Sequence, residues 1–194
     1  MIRALLLLAA LATADRIPAA GGDITITPLI HSSIQIEHAG KVIQIDPWSM
    51  LDLARYKKAD LILITDDPVH HLDVKAIAAL RKPGAPVMIP EAGKAKYPDG
   101  IIMANGEKAS EGGIAVEAIP AYDIIQGAPA HPKGKSNGYL ITLGGRRTHV
   151  GGGTEGAPEG HGRANIGAAC RPLHGPRARE AAAGPEEQAK RGGR

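Results

Sequence analysis

Five ionisable side chains, Asp66, Asp67, His70, His71 and Asp73, fall within eight residues directly after the apolar run Leu61 to Ile64. Carboxylates and imidazoles at the mouth of a buried strand are costly to desolvate unless something pairs with them, and a divalent cation suits all of them. The adjacent carboxylates of Asp66 and Asp67 favour a nearby cation: two unneutralised charges repel by roughly 4 kcal/mol at 4 Å and an effective dielectric near 20. That argument vanishes if both face water. The residues then read as polar loop positions on an inherited scaffold.

The elements that must position this cluster are legible around it. Leu61 to Ile64 is too short for a helix and rich in branched residues, so it reads as a buried strand. Beyond the cluster, Val74, Ile77, Ala78 and Leu80 recur at helical spacing. Asp73 stands at the positive dipole end and Lys82-Pro83-Gly84 stops the run, which predicts a helix over 72–82. Packing of that helix on a sheet aims the preceding loop outward, where a substrate can reach His70 and His71.

Upstream, Ile24-Thr25-Ile26 and Ile34-Gln35-Ile36 alternate, Ala39-Gly40 turns, and Val42 to Ile45 returns before Asp46-Pro47, predicting three strands. Leu51 to Tyr56 is read as a helical turn or two. Downstream, strands are expected in 86–90, 101–103 and 115–119. Gly138 to Leu143 and Arg146 to Val150 form a hairpin whose Gly144-Gly145 turn allows positive φ at both central positions. Strand and helix alternate, so the class is α/β or α+β.

Composition bounds the rest. Aromatics are 3% of the chain and Phe is absent, so the core must rest on Ile, Leu, Val and Ala. Cys170 is the only cysteine and excludes an intramolecular disulfide. A scattered net charge of +3 argues for no nucleic-acid partner. Residues 1–14 read as a secretory signal peptide: Arg3, a short apolar run, then Ala12-Thr13-Ala14 for cleavage. The run is shorter than the roughly 20 residues a spanning helix needs, so no integral membrane segment is expected after cleavage, and the location is secreted or periplasmic.

The order of strand, Thr65, acidic and histidine cluster, Leu72-Asp73 and helix resembles the metal-binding loop of the metallo-β-lactamase fold, most of all its ascorbate-phosphate lactonase-like hydrolases. That loop is Thr-His-x-His-x-Asp-His, and some branches carry Asp at the first histidine. Here the four ligand positions fall on Asp66, Pro68, His70 and His71. Pro68 has no side-chain lone pair and ligates nothing. Further matches are His31-Ser32-Ser33, Asp46-Pro47 and His131-Pro132-Lys133-Gly134, while Asp123 and Gly153 occupy places where the family has a histidine and an aspartate.

The resemblance, covering roughly Asp23 to Glu159, implies an αββα sandwich over 23–150. It also implies an exported metal-dependent hydrolase acting on an ester, lactone or phosphodiester of a small molecule. Asp66, His70, His71 and His131 are the expected ligands of zinc or manganese, with Asp67 or Asp123 as general base. Asp46 is expected to support the metal loop from behind. His31 either lines the site or is satisfied by backbone partners within the sheet. Lys133 and Lys135 can greet an anionic substrate.

From Gly151 the chain turns to Gly, Ala, Arg and Pro with few large apolar residues, too little to offset the entropy of ordering, so 151–194 is expected to be disordered. That mixture is also what a GC-rich coding sequence yields out of frame, which would leave the second half of the sandwich incomplete. A nucleotide sequence with no restored frame encoding apolar strands sinks this idea. The alternatives to a hydrolase are a non-catalytic exported binding domain on the same scaffold, or a truncated inactive product.

Overall fold

The computed structural model describes residues 14–123 and 131–152, together with the backbone of residues 170–172. The first sheet runs in chain order through β1 (Asp15–Ile17), β2 (Ile24–Pro28), β3 (Ile34–His38), β4 (Lys41–Ile45), β5 (Leu61–Leu63), β6 (Val87–Ile89) and β7 (Ile101–Ile102). Pairing is antiparallel as far as β4 and parallel from β4 to β7. Between β5 and β6 the chain crosses over through helix α1 (Val74–Leu80). The second sheet is antiparallel, ordered β12-β11-β10-β9-β8, from β8 (Lys108–Glu111), β9 (Ile114–Ala121), β10 (Ser136–Leu143), β11 (Arg146–Val150) and β12 (Cys170–Pro172).

The period-2 alternation of β5 divides two apolar layers. Leu61 and Leu63 join Ile26, Ile36, Ile45 and Met88 on the face that meets Val116, Tyr139, Ile141 and Val150 of the second sheet. Ile62 and Ile64 face the other way, onto Leu72 and Ile77 at the helix. The inter-sheet core is thus aliphatic, as a chain without Phe requires, with Tyr139 its one large aromatic. Each buried Ile or Leu contributes about 1.5–3 kcal/mol relative to exposure. The result is the expected mixed α/β sandwich. Among the described residues its single α-helix covers the first sheet.

Most predicted elements form, with instructive differences at their ends. The helix is shorter than 72–82 because Asp73 caps it: its Oδ1 accepts from the backbone N–H groups of Lys75 and Ala76 at 2.9 and 3.2 Å. Leu51 to Tyr56 contains one 3-10 turn, Leu53–Arg55. The hairpin turns Ala39-Gly40 and Gly144-Gly145 have positive φ at both central residues, as their sequences require. Strands β1 and β8 were not expected, being short and polar. Of the proposed leader, residues 1–13 lie outside the described residues, as does the tail beyond Gly152 apart from β12.

Candidate metal centre

Strand order places the site. Ile34 of β3 pairs with Ile45 of β4, which pairs in parallel with Leu63 of β5, so the segment entering β3 and those leaving β4 and β5 emerge at one sheet edge. His31, Asp46 and Thr65 lie just past these ends. Among the described residues only His31, Ala39 and Asp46 are non-glycine positions with positive φ, and two of the three are here, at 53° and 41°.

Asp46 is fully buried and organises the edge. Its Oδ1 accepts the Thr65 backbone N–H at 2.7 Å; its Oδ2 accepts the Thr65 hydroxyl and lies 2.7 Å from His71 Nδ1. Ser32 Oγ and Thr65 Oγ1 stand 3.0 and 3.1 Å from the same nitrogen. A proton on Nδ1, given to the carboxylate, leaves the Nε2 lone pair of His71 for a ligand, the arrangement that orients metal-bound histidines. Asp46 therefore does support the loop from behind.

The loop itself is pinned at Pro68, whose carbonyl accepts the N–H groups of both His71 and Leu72 at 2.8 Å. This turn brings His70 beside His71, with ring centroids 4.6 Å apart, and His31 closes the group at 4.5 Å from His70 and 5.3 Å from His71. One ligand atom from each of these three histidines lies within 4.8 Å of the others. Trp48 stands edge-on to His31 and His70 at 6.0 and 6.1 Å. Its turn is fastened to the helix start, where Asp73 Oδ2 accepts the Ser49 N–H at 2.9 Å. His31 thus joins the cluster and is not merely a sheet histidine.

Charge favours ligation at His31 and His70. Burial, and then the neighbouring His71, lower the pKa values of His31 and His70, which keeps their lone pairs available. Burial also disfavours the His71 imidazolium, but the hydrogen bond to Asp46 and the charges of Asp46, Asp66 and Asp67 outweigh it and raise that pKa. Three imidazoles, one with a carboxylate behind it, are a donor set that fits a divalent cation.

The other nominated residues gather beside this triad. Asp123 accepts the His131 backbone N–H at 2.9 Å and holds its Nδ1 at 3.1 Å, while His131 Nε2 faces Asp66 Oδ2 at 3.6 Å. Asp66 takes part on both sides: its charge acts on His70 and His71, and its Oδ2 faces His131. Asp67 is ion-paired at 3.0 Å with each of Lys96 and Lys135. Burial alone would raise its pKa, yet the two lysines bring it down to about 2, a poor proton acceptor at neutral pH. Lys133 stacks over the Tyr122 ring, 5.4 Å from its centroid. Gly153 lies outside the described residues.

His31, Trp48 and Ser32 are the residues that sequence reasoning left open or missed. A signal for His31 was present: a hairpin of β3 and β4 necessarily returns the end of the second strand to the start of the first, putting His31 beside Asp46.

A family model described as a beta-lactamase superfamily domain matches residues 25–187. A structure designated a metal-dependent hydrolase from Parabacteroides distasonis shares 34% identity at a TM-score of 0.69, covering 76% of this chain and 69% of that one. A metallo hydrolase from the hyperthermophilic archaeon Ignicoccus hospitalis shares 22% identity at a TM-score of 0.51, covering 68% of this chain and 61% of that one, a likeness of fold alone. No curated protein matches the chain.

Proposed function

The chain belongs to the beta-lactamase superfamily, and on that premise we propose that it is a metal-dependent hydrolase in which His31, His70 and His71 hold a divalent cation, zinc or manganese. The observation that carries this reading is the convergence of three imidazoles with Asp46 behind His71. A divalent cation there supplies Lewis acidity, polarising a scissile carbonyl or phosphoryl group and making water a nucleophile near neutral pH.

The chain's own residues do the rest. Asp46 fixes the His71 tautomer, and Thr65 fixes Asp46 through its N–H and hydroxyl. The turn on Pro68 holds His70 and His71 side by side. Of the two carboxylates expected to take a proton, Asp67 is bound by lysines and Asp123 acts through His131. The half-exposed Lys96 and Lys135 on Asp67 suit a substrate with an anionic group, consistent with an ester, lactone or phosphodiester of a small acidic molecule.

Metal analysis of purified protein beside a His70→Ala, His71→Ala double variant tests the reading. Stoichiometric metal that falls in the variant, with hydrolysis of an ester, lactone or phosphodiester probe that chelation abolishes, is the expected result. Equal, near-zero metal in both removes it.

Pro68 favours a second reading, a non-catalytic binding domain, because it stands where the resembled loop has a histidine. Metal uptake with no turnover on any probe would select it. Export is part of the proposal. The paired strand β1 begins at Asp15, directly after the expected cleavage point. A periplasmic or secreted form beginning near Asp15 on N-terminal sequencing supports it, and an uncleaved cytosolic form refutes it.

A further inference from the structure

Asn137 and Tyr139 stand two apart on β10, so both side chains project from one face of the strand, and both are buried, at 2% and 0% exposure. That face meets the exit of β5. A buried amide in so aliphatic a core costs free energy unless its donors and acceptor are matched.

The Asn137 amide has one possible orientation. The Met103 carbonyl, just past β7, can only accept, so Asn137 Nδ2 donates to it at 2.8 Å, and Oδ1 is left to accept from Asn105 Nδ2 at 2.7 Å. Asn137 Nδ2 also reaches the Tyr139 hydroxyl at 3.4 Å, and that hydroxyl gives its own proton to the Ile64 carbonyl at 2.7 Å, again a group that can only accept. Burial pushes the Tyr139 phenol above its ordinary pKa, which keeps it a donor.

The Ile64 carbonyl belongs to the same peptide unit as the Thr65 N–H. That N–H donates to Asp46 Oδ1 at 2.7 Å, while Asp46 Oδ2 receives His71 Nδ1 at 2.7 Å. The donors therefore run one way, from Asn105 through Asn137 and Tyr139 to the Ile64–Thr65 peptide and on to Asp46. Hydrogen bonds aligned in this manner polarise one another. Both carbonyls at the exit of β5 are held from the second sheet, since the Asn137 N–H donates to the Thr65 carbonyl at 2.9 Å.

We infer that Tyr139, Asn137 and, at the far end, Asn105 are positioning residues for His71: they hold the Ile64–Thr65 peptide where it grips Asp46, and so set the imidazole from the opposite sheet. The immediate partners of His71 Nδ1 are Asp46, Thr65 and Ser32, so all three residues act through others. Asn105 lies in the half-buried turn between β7 and β8, where the Glu107 N–H donates to the Ala104 carbonyl at 3.0 Å. A turn at the far side of the second sheet thereby acts on the imidazole cluster. The consequence for a metal rests on the hydrolase reading, whereas the effect on the His71 Nδ1 proton does not.

The test uses the full chain, labelled with nitrogen-15 histidine and freed of metal by chelation. Nuclear magnetic resonance follows the His71 Nδ1 proton, assigned by its loss in His71→Gln, and zinc affinity is measured by competition against a chromophoric chelator. Tyr139→Phe and Asn105→Ala are each expected to move that proton upfield, to speed its exchange with water, and to weaken zinc by roughly tenfold. Ile141→Val is the control: it trims a fully buried core side chain of the same strand and leaves the donor chain intact. It should lower the melting temperature and leave the proton and the zinc affinity as they are.

An Nδ1 proton unmoved in both Tyr139→Phe and Asn105→Ala overturns the inference, as does an equal change in Ile141→Val, which would mean general loosening of the core. If circular dichroism shows that Tyr139→Phe fails to fold, Asn105→Ala decides. Wild-type protein that takes up no zinc sinks the hydrolase reading, and the Nδ1 comparison in metal-free protein still decides this one. Zinc bound by the wild type, with neither variant altering the Nδ1 proton, does the opposite.

Discussion

Two histidines here are each backed by a carboxylate, and their settings are unlike. His71 is 1% exposed and its Nδ1 is surrounded by Asp46, Thr65 and Ser32, which come from the exits of β4 and β5 and the entry to β3. His131 is 21% exposed and its Nδ1 meets Asp123, eight residues away in the connection that leads to β10. The first imidazole is placed by the sheet itself, through partners that exist only when the strands pair in register. The second is placed by a local contact within one connection. Donors mounted on strands share the stability of the fold, whereas donors mounted on a loop can change with little effect on it.

Substitutions can break that contrast. Asp46→Ala leaves His71 and the Thr65 N–H without their buried partner and should cost about 3–5 kcal/mol of unfolding free energy in urea denaturation, with loss of metal at the triad. A cost below about 1 kcal/mol would mean that the sheet does not depend on this carboxylate. Gly152→Ala should cost about 1–3 kcal/mol, since the added carbon presses on Thr65 at a positive φ.

Tyr139→Phe sharpens the contrast from the second sheet. The buried Tyr139 hydroxyl donates to the Ile64 carbonyl at 2.7 Å, tying β10 to the end of β5. Its removal should cost about 1–2 kcal/mol by the same measurement. Asp123→Ala is the smallest, about 1 kcal/mol or less in stability. If it destabilised the protein as much as Asp46→Ala, the distinction between a sheet-mounted and a loop-mounted imidazole would be erased.

Much of the scaffold was legible from period alone. The alternation in β2 and β3 fixed which side chains face the core, the unbroken apolar run of β5 marked a strand buried on both faces, and the Gly144-Gly145 turn and the cap at Asp73 behaved as their chemistry demands. Strands β1 and β8 escaped because Asp15-Arg16-Ile17 and Lys108 to Glu111 carry no apolar rhythm and hold their places only by pairing with β2 and β9. The site was half legible. Asp66, His70 and His71 announce themselves by type and spacing, whereas His131 and Asp46 were marked only by the resemblance of their segments to the family.

How those donors divide is not written locally. His31 reaches His70 across almost forty residues because β3 and β4 form a hairpin, and Asp66 meets His131 because β10 lies against the exit of β5, where Asn137 N–H donates to the Thr65 carbonyl at 2.9 Å. Asp67 looked like a free base in the sequence. Its two lysines lie 29 and 68 residues further along the chain, visible only once the fold brings them in.

Pro68 has a consequence beyond the donor it cannot supply. Its ring restricts the backbone at the start of the turn, and its carbonyl receives two amide protons, so fewer conformations compete with the one that sets His70 against His71. An incoming ion meets a receptacle already in shape and gives up little of its binding energy to organise it. A side chain with nothing to coordinate can in this way raise affinity, by narrowing what the empty loop is free to do.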